Sequence, residues 1–442
     1  WLKPFWLKTG APSPLPPSGP AAPPPVSPGR APPMADGAGE GGAVQEEEDD
    51  GIDEDVVVII DNGSGVCKAG LSCDKDPRAI FDEVVGKPRK TCRSSLEKEF
   101  YYGDQVNAVR DKLALSYPLE NGIIENFEHM ELLWEYTFFE ALKVNPCKHP
   151  VLLTEPPYNP KPNRERMVEI MFDVFAVPAL NISIQGVLAL LGTGRTTGLV
   201  LDSGEGVTHT IPIFDGYGLP HCINRLDLAG RELNTLLAKL LAQEGTTLTT
   251  TSQQHHVRQM KEQHCYVALN PSAEIAQSVE YRIPGEKPIT LTDERWKCPE
   301  ALFSPSLVGV ESVGVGGLVW ESISKCEIDL RKKLLGNIVL SGGSTQFPGF
   351  AARLAQDLRG YAPSGSKAHI KVVGAKECGL GQDAVARSQD DQSQPERCLA
   401  VWEGAKVQAN LRSLQEDQWM TIEDYDEYGA SYIHDKIALK YN

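Results

Sequence analysis

Two short stretches of this chain carry acids and glycines in the same order. Asp61-Asn62-Gly63-Ser64-Gly65 follows the β-branched run Val56-Val57-Val58-Ile59-Ile60. Asp202-Ser203-Gly204-Glu205-Gly206-Val207 follows Gly198-Leu199-Val200-Leu201. An apolar run of this length that ends in Asp and glycines reads as a buried strand entering a tight turn. The glycines let the turn backbone close until successive N–H groups face one anion, and the Asp at the strand's end projects beside them. One such turn is a common loop. Two, each with a returning strand (66–71 and 207–213), imply two related halves that bring paired carboxylates and paired N–H cradles to one polyphosphate. Mg²⁺ suits that arrangement: it prefers oxygen ligands and keeps most of its waters, so Asp61 and Asp202 can hold it through water. The plainer alternative is that each Asp caps its own turn. A third glycine turn, Ser341-Gly342-Gly343-Ser344, follows Ile338-Val339-Leu340. Gly-x-x-x-x-Gly-Lys-Ser/Thr is absent. The turn from Gly192 to Gly198 lacks G-x-G-x-x-G spacing and precedes a strand, so neither a P-loop nor a dinucleotide site is supported.

The elements that must position these turns alternate strand and helix, which predicts an α/β fold. Met130 to Leu142 has a helical pattern with Leu132, Leu133, Tyr136, Phe139 and Leu142 apolar. A second helix is expected over Asn163 to Phe175, with Asn163 as its N-cap and Met167, Ile170, Met171 and Val174 on one side. Residues 1–33 are rich in Pro, Gly, Ala and Ser, a linker composition whose sharper reading is an SH3 ligand. The chain opens on Trp1, and Met34 has the look of a biological start. Acidic residues dominate 46–55, so residues 1–55 are expected to be disordered and order to begin at Val56. The whole chain has 442 residues, with 43 Lys and Arg against 60 Asp and Glu, a net charge of −17. That balance argues against nucleic acid and anionic membranes as partners and favours basic proteins. Ten cysteines are scattered without a C-x-x-C pair, which reads as reduced, mostly buried thiols. No apolar run is long enough to span a membrane.

At these turns the chain resembles the actin family. Asp61 to Gly70 is similar to the family's first phosphate loop and Asp202 to His209 to its second. Further similar stretches are 149–159, 182–188, 225–231, 265–269, 295–306 and 340–349, so the resemblance runs from about Val56 to Asn442. It implies a two-lobed α/β ATPase fold with duplicated β-sheet domains around a nucleotide cleft. The first lobe would be 56–192 with a small docking subdomain at about 83–117. The second would be 193–369 with a small subdomain at about 229–309, and 370–442 would return to the first lobe. It also implies ATP or ADP with Mg²⁺. Asp61 and Asp202 would hold the metal's water shell. Gly63, Ser64, Gly65, Lys68, Gly204, Gly206 and Val207 would cradle phosphates, and Glu205 and Glu262 would meet the ribose. Arg258, Lys261, Gly342, Gly343 and Phe347 would line the adenine end. Gln185 and His209 would orient the attacking water, which is enough for a slow ATPase at most. Other readings of single residues stay open: core hydrogen bonding for Gln185, a structural role for His209, and a surface ion pair for Lys68.

The sequence departs from the family's pattern at several places. Glu205 stands where Asp is usual, Phe347 replaces a tyrosine, and Cys398 follows Pro395-Glu396-Arg397 where a lysine is expected. The docking loop Lys90 to Phe100 is shortened and charged. Ala375 to Pro395 reads as an inserted disordered loop. Glu403, Lys406 and Gln408 put polarity where the family's partner-binding cleft is apolar, whereas Leu307, Val308 and Val310 keep the apolar filament plug. These changes favour a divergent cytoskeletal protein of the cytoplasm that joins filaments or scaffolds through cytoskeletal or actin-binding proteins, actin itself included, with weak or no self-polymerisation. The competing reading is a conventional filament-forming actin with slow hydrolysis. A small-molecule kinase on the same fold would need a positioned base for a substrate hydroxyl, and no motif supplies one.

Overall fold

The β-branched run becomes a central strand because both of its faces are covered, and the glycine turn stops it. A computed structural model describes residues 56–362, 370–373, 397–412 and 416–437; the expected N-terminal extension and the insertion at 375–395 lie outside these. Twelve strands build the two large sheets: Val58–Asp61 (β1), Val66–Leu71 (β2), Ala79–Asp82 (β3), Val151–Glu155 (β4), Ala179–Ile184 (β5), Gly198–Ser203 (β6), Thr208–Phe214 (β7), Tyr217–Gly218 (β8), Asn224–Leu226 (β9), Ile338–Ser341 (β10), Val372–Val373 (β11) and Met420–Thr421 (β12). The first sheet runs β12-β5-β4-β1-β2-β3. The second runs β8-β7-β6-β10-β11, with β9 also pairing β7.

The two sheets repeat one local plan. β1 pairs antiparallel with β2 and parallel with β4, and Asp61 faces Lys68 in the register. β6 pairs antiparallel with β7 and parallel with β10, and Asp202 faces His209 and Ser341. Asp61 is the last residue of β1 and Asp202 the last but one of β6, so each Asp lies at the equivalent end of its sheet. The helices that matter below are Phe127–Glu135 (α1), Lys161–Glu169 (α2), Gln185–Leu191 (α3), Gly230–Gln243 (α4), Thr251–His264 (α5), Val315–Lys325 (α6), Phe350–Tyr361 (α7) and Ala400–Asn410 (α8).

Each sheet has its own apolar core. The first gathers Ile60, Leu153, Met171 and Ile182 with Met420 and Ile433 from the far end of the chain. The second gathers Leu201, Leu233, Val257, Leu318, Leu340 and Phe350. A third cluster joins the lobes: Ile59 and Leu152 from one sheet, Val200 and Val339 from the other, and α3 and α8 between them. Where these helices cross, their backbones touch. A Cβ on Gly404 would lie 1.7 Å from the Leu188 carbonyl oxygen, and one on Gly192 would lie 3.0 Å from the Gly404 nitrogen.

Several sequence expectations need correction here. The second helix starts at Lys161, not at Asn163. Pro160 precedes it and Pro162 sits in its first turn, where proline's missing N–H costs nothing. The Asn163 side chain instead donates to the Ile124 carbonyl at 2.8 Å. Both early helices end in π-helical turns, Tyr136–Leu142 and Ile170–Val174. The wider turn shifts the helical phase. Phe138 therefore faces the core while Phe139 is 52% exposed, and Val174, expected inside, is also 52% exposed. Gln408 is not part of an altered partner surface: it is 6% exposed and bonds to the buried Ser183 and Asn181. Glu403 and Lys406 pair with each other at 2.9 Å, and the Lys406 ammonium lies over the buried Trp402 ring. Their charge is satisfied inside the α8 surface. Five of the nine described cysteines, Cys67, Cys222, Cys265, Cys298 and Cys326, are buried free thiols. Among the described residues no helix is long and apolar enough to cross a membrane.

Candidate functional site

The first turn is held from three sides. Asp61, buried at the end of β1, accepts from Lys68 Nζ and from Thr154 Oγ1, both at 2.8 Å. Thr154 belongs to β4, which lies parallel beside β1, so the sheet itself brings this hydroxyl to the carboxylate. Gln185 opens α3 directly after β5 and donates to the Asn62 carbonyl at 2.9 Å. Asn62 Oδ1 accepts from the Trp134 indole of α1, whereas its Nδ2 is buried and has no partner among the described residues. The Gly122 amide donates to Ser64 Oγ at 2.7 Å. Gly63 is required: a Cβ there would meet the Val66 oxygen at 2.6 Å. Asn62 and Thr154 also line a cavity of about 10 Å³, room for one water.

The second turn lies against the first. A Cβ on Gly65 would be 2.7 Å from the Glu205 side chain, and one on Gly206 would be 2.8 Å from Ser64 Oγ. Glycine is what permits this approach of the two halves. Asp202 is held above the usual carboxylate range by burial. The Ser341 hydroxyl and Lys68 pull it down, and the charge of Asp61 pushes it up. The two Asp residues and Lys68 thus form one electrostatic group across the seam. Burial works against charge on Lys68, but Asp61 outweighs it and holds the ammonium above its usual range. His209 is buried and pushed down to about 3 by burial and by the Arg225 charge, so it is neutral; its Nε2 is buried without a partner among the described residues. Ser344 Oγ donates to the Gly204 carbonyl at 2.7 Å, which stitches the third turn to the second. Gly342, at φ 86°, fits against Ser203, while Gly204 and Gly343 face open space.

Beyond the turns, Glu205 accepts from Asn234 Nδ2 at 3.1 Å and sits 3.6 Å from Lys261 Nζ; Lys261 also donates to the Gly230 carbonyl. Arg258 and Glu262, one turn apart on α5, pair at 2.9 Å. Val207 is buried beside its turn, and Phe347 packs into the second-lobe core. The structure therefore brings Asp61, Gly63, Ser64, Gly65, Lys68, Gln185, Asp202, Gly204, Gly206 and His209 around one seam, with Glu205 and Lys261 at its side. Arg258 and Glu262 stand farther out, and Phe347 offers little surface. Sequence reasoning missed Thr154, Asn62 and the acids Asp82 and Glu83. Glu83 is buried, and burial and the Asp61 charge push its carboxyl up to about 8, against the pull of Lys68 and of the neighbouring Cys67 thiol. Nothing in Phe81-Asp82-Glu83-Val84 marks Glu83 as buried or Asp82 as paired.

A protein-family model, described as actin, matches residues 52–438. The chain belongs to the actin family. The repeated sheet plan and the two facing Asp-Gly turns are thus the actin-family fold, with α3 and α8 joining its lobes. The family implies a nucleotide and a divalent cation, and the residues present fit that pair. The buried Asp61, the half-buried Asp202 and a lysine, orphaned polar atoms on Asn62 and His209, and open backbone at Gly204 and Gly343 all converge on the actin-fold seam. No group of three or more His, Cys, Asp or Glu is placed to hold an ion among the described residues.

Proposed function

We propose that this actin-family chain binds Mg-ATP or Mg-ADP in the interlobe seam and works in the cytoskeleton of the cytoplasm as a divergent filament-associated or scaffold subunit. The observation that carries the nucleotide reading is the meeting of two Asp-Gly turns whose acids share one lysine. Asp61 and Asp202 hold the cation through water. Gly63, Ser64, Gly65, Lys68, Gly204, Gly206 and Val207 surround the phosphates, with Lys68 as a point charge. Glu205 and Glu262 serve the ribose side, and Arg258, Lys261, Gly342, Gly343 and Phe347 the base side. The bound metal neutralises phosphate charge; the chain's own part is to orient water. Gln185 is fixed by its bond to Asn62, and the neutral His209 imidazole is able to accept a hydrogen bond from water. Positioning of this kind, without an arginine finger, supports slow hydrolysis.

The full chain is expected to melt higher with Mg-ATP. At a ligand concentration of about 100 times Kd the gain is roughly 2.7 kcal/mol, because the ligand binds only the native state. Asp61→Ala combined with Asp202→Ala should abolish the shift in differential scanning fluorimetry. An undiminished shift in the double variant would refute this placement of the site.

The scaffold reading rests on the charged loop around Lys87 and Glu99, whose groups would lose water at every repeat of a filament contact. A conventional filament-forming actin with slow hydrolysis is the second reading, favoured by Leu307, which is 54% exposed near the packed Val308 and Val310. Pelleting and electron microscopy in Mg-ATP, alone and with added actin, separate the two. We expect little homopolymer and association with other cytoskeletal proteins; long homopolymers at low micromolar concentration would establish the second reading.

A further inference from the structure

We propose that Asp82 is the keystone of a charged clasp across the interlobe seam, and that release of this clasp opens the seam for nucleotide exchange; the exchange half rests on the nucleotide reading above. Asp82 ends β3, at the edge of the first sheet. Its Oδ1 accepts from Arg258 Nη1 at 2.9 Å, and Arg258 lies on α5, whose Val257 and Met260 belong to the second-lobe core. Its Oδ2 accepts from Arg110 Nη1 at 3.4 Å, from the first lobe. One carboxylate thus joins two guanidiniums from opposite lobes.

The surroundings hold both arginines in place. Arg110 also donates to Asn107 Oδ1 at 3.0 Å and to the Tyr117 hydroxyl at 3.2 Å. Arg258 is steadied by Glu262. The three clasp side chains are 13%, 22% and 11% exposed for Asp82, Arg258 and Arg110, so water screens them only in part. Two further contacts cross the same gap: the Ser252 amide donates to Asp111 Oδ1 at 3.2 Å, and the Arg231 guanidinium lies over the Tyr117 ring. His255 lies within reach of the cluster, and burial and the Arg110 charge lower its pKa, so the imidazole adds no third cation.

Removing the Asp82 charge leaves two guanidiniums facing each other with one acid fewer, and like charges in a partly buried site repel. Separating the lobes relieves that repulsion. One turn beyond Arg258 on the same helix, Lys261 reaches Glu205 and Gly230 beside the second turn. A shift of α5 therefore moves the clasp and the ribose side together.

The test uses the full chain with Asp82→Asn, which keeps the shape, and Asp82→Arg, which reverses the charge. Glu280→Gln, in an exposed pair with Arg282, is the control. Amide exchange at 110–117 and 252–264 is measured without nucleotide, and release of etheno-ATP is measured with Mg²⁺. Loss of one charge-assisted bond is expected to raise both by about tenfold in Asp82→Asn, and by more in Asp82→Arg, with the control unchanged. Raising salt from about 0.1 M to about 1 M, which cuts the screening length from about 10 Å to about 3 Å, should speed exchange in the unaltered chain even if a variant fails to fold. Unchanged exchange at both segments in Asp82→Asn and in high salt overturns the clasp. If the unaltered chain does not bind etheno-ATP, the nucleotide reading fails, and amide exchange still decides the clasp.

Discussion

Gly404→Ala should destabilise the protein by about 3 kcal/mol, an effect at the upper end for the addition of one methyl group. The new carbon would sit 1.7 Å from the Leu188 carbonyl oxygen, and backbone on a buried helix cannot step aside as a flexible side chain does. α3 and α8 would have to separate, and with them the cluster of Ala189, Leu190, Trp402 and Ala405 that joins the two sheets. The control is Gly360→Ala in α7, where a Cβ meets nothing within 4 Å. That change should be neutral or stabilising by up to about 1 kcal/mol, through reduced freedom of the unfolded chain. Urea denaturation of both variants measures the contrast. Equal midpoints would mean that the helices are not in backbone contact.

The second large effect is a pH dependence centred on Glu83. Its carboxyl is raised from 4.5 to about 8, so between those values the native protein holds a proton that the unfolded chain has lost. Stability from this group is fully present below pH 4.5 and is lost as pH rises through about 8. The slope approaches about 1.4 kcal/mol per pH unit, which amounts to a few kcal/mol over the window. His209 acts with the opposite sign. Its pKa falls from 6.5 to about 3, so its contribution is lost as pH drops below 6.5. The range from pH 6.5 to 8 lies above the His209 window. Glu83→Gln keeps the shape without the charge and should flatten the decline of the melting temperature there, measured without Mg²⁺. Parallel curves for the two proteins would show that Glu83 is not buried as an acid.

The parts of this architecture that local chemistry dictates were legible in the residues. A β-branched run followed by Asp and two glycines specifies a buried strand and a close turn, and its repetition specifies two facing halves; β1 ends at its Asp, and β6 runs one residue past Asp202. What stayed hidden depends on neighbours far away in the chain. Phe138 and Phe139 are interchangeable in a regular helical pattern, and only the π-helical turn selects Phe138 for the core. Gln408 looked like a surface change because its partners, Ser183 and Asn181, lie more than two hundred residues earlier. Nothing local sets Asp82 and Glu83 apart, since the arginine that meets one and the burial of the other come from tertiary packing.

The pairing of β12 with β5 has a consequence for biosynthesis. Leu180 finds its partner Met420 only after more than two hundred further residues have left the ribosome, a delay on the order of 10–50 s at usual elongation rates. Until then the first lobe exposes the edge of β5, and its core lacks Met420, Ile433 and Ile437. Phe172 lacks the Tyr425 ring that stacks on it at 4.8 Å. The buried Arg164, paired with Glu155, likewise waits for His434. A nascent chain held in that state is an open template for strand pairing with its neighbours, and the exposure to mispairing is greatest on crowded polysomes.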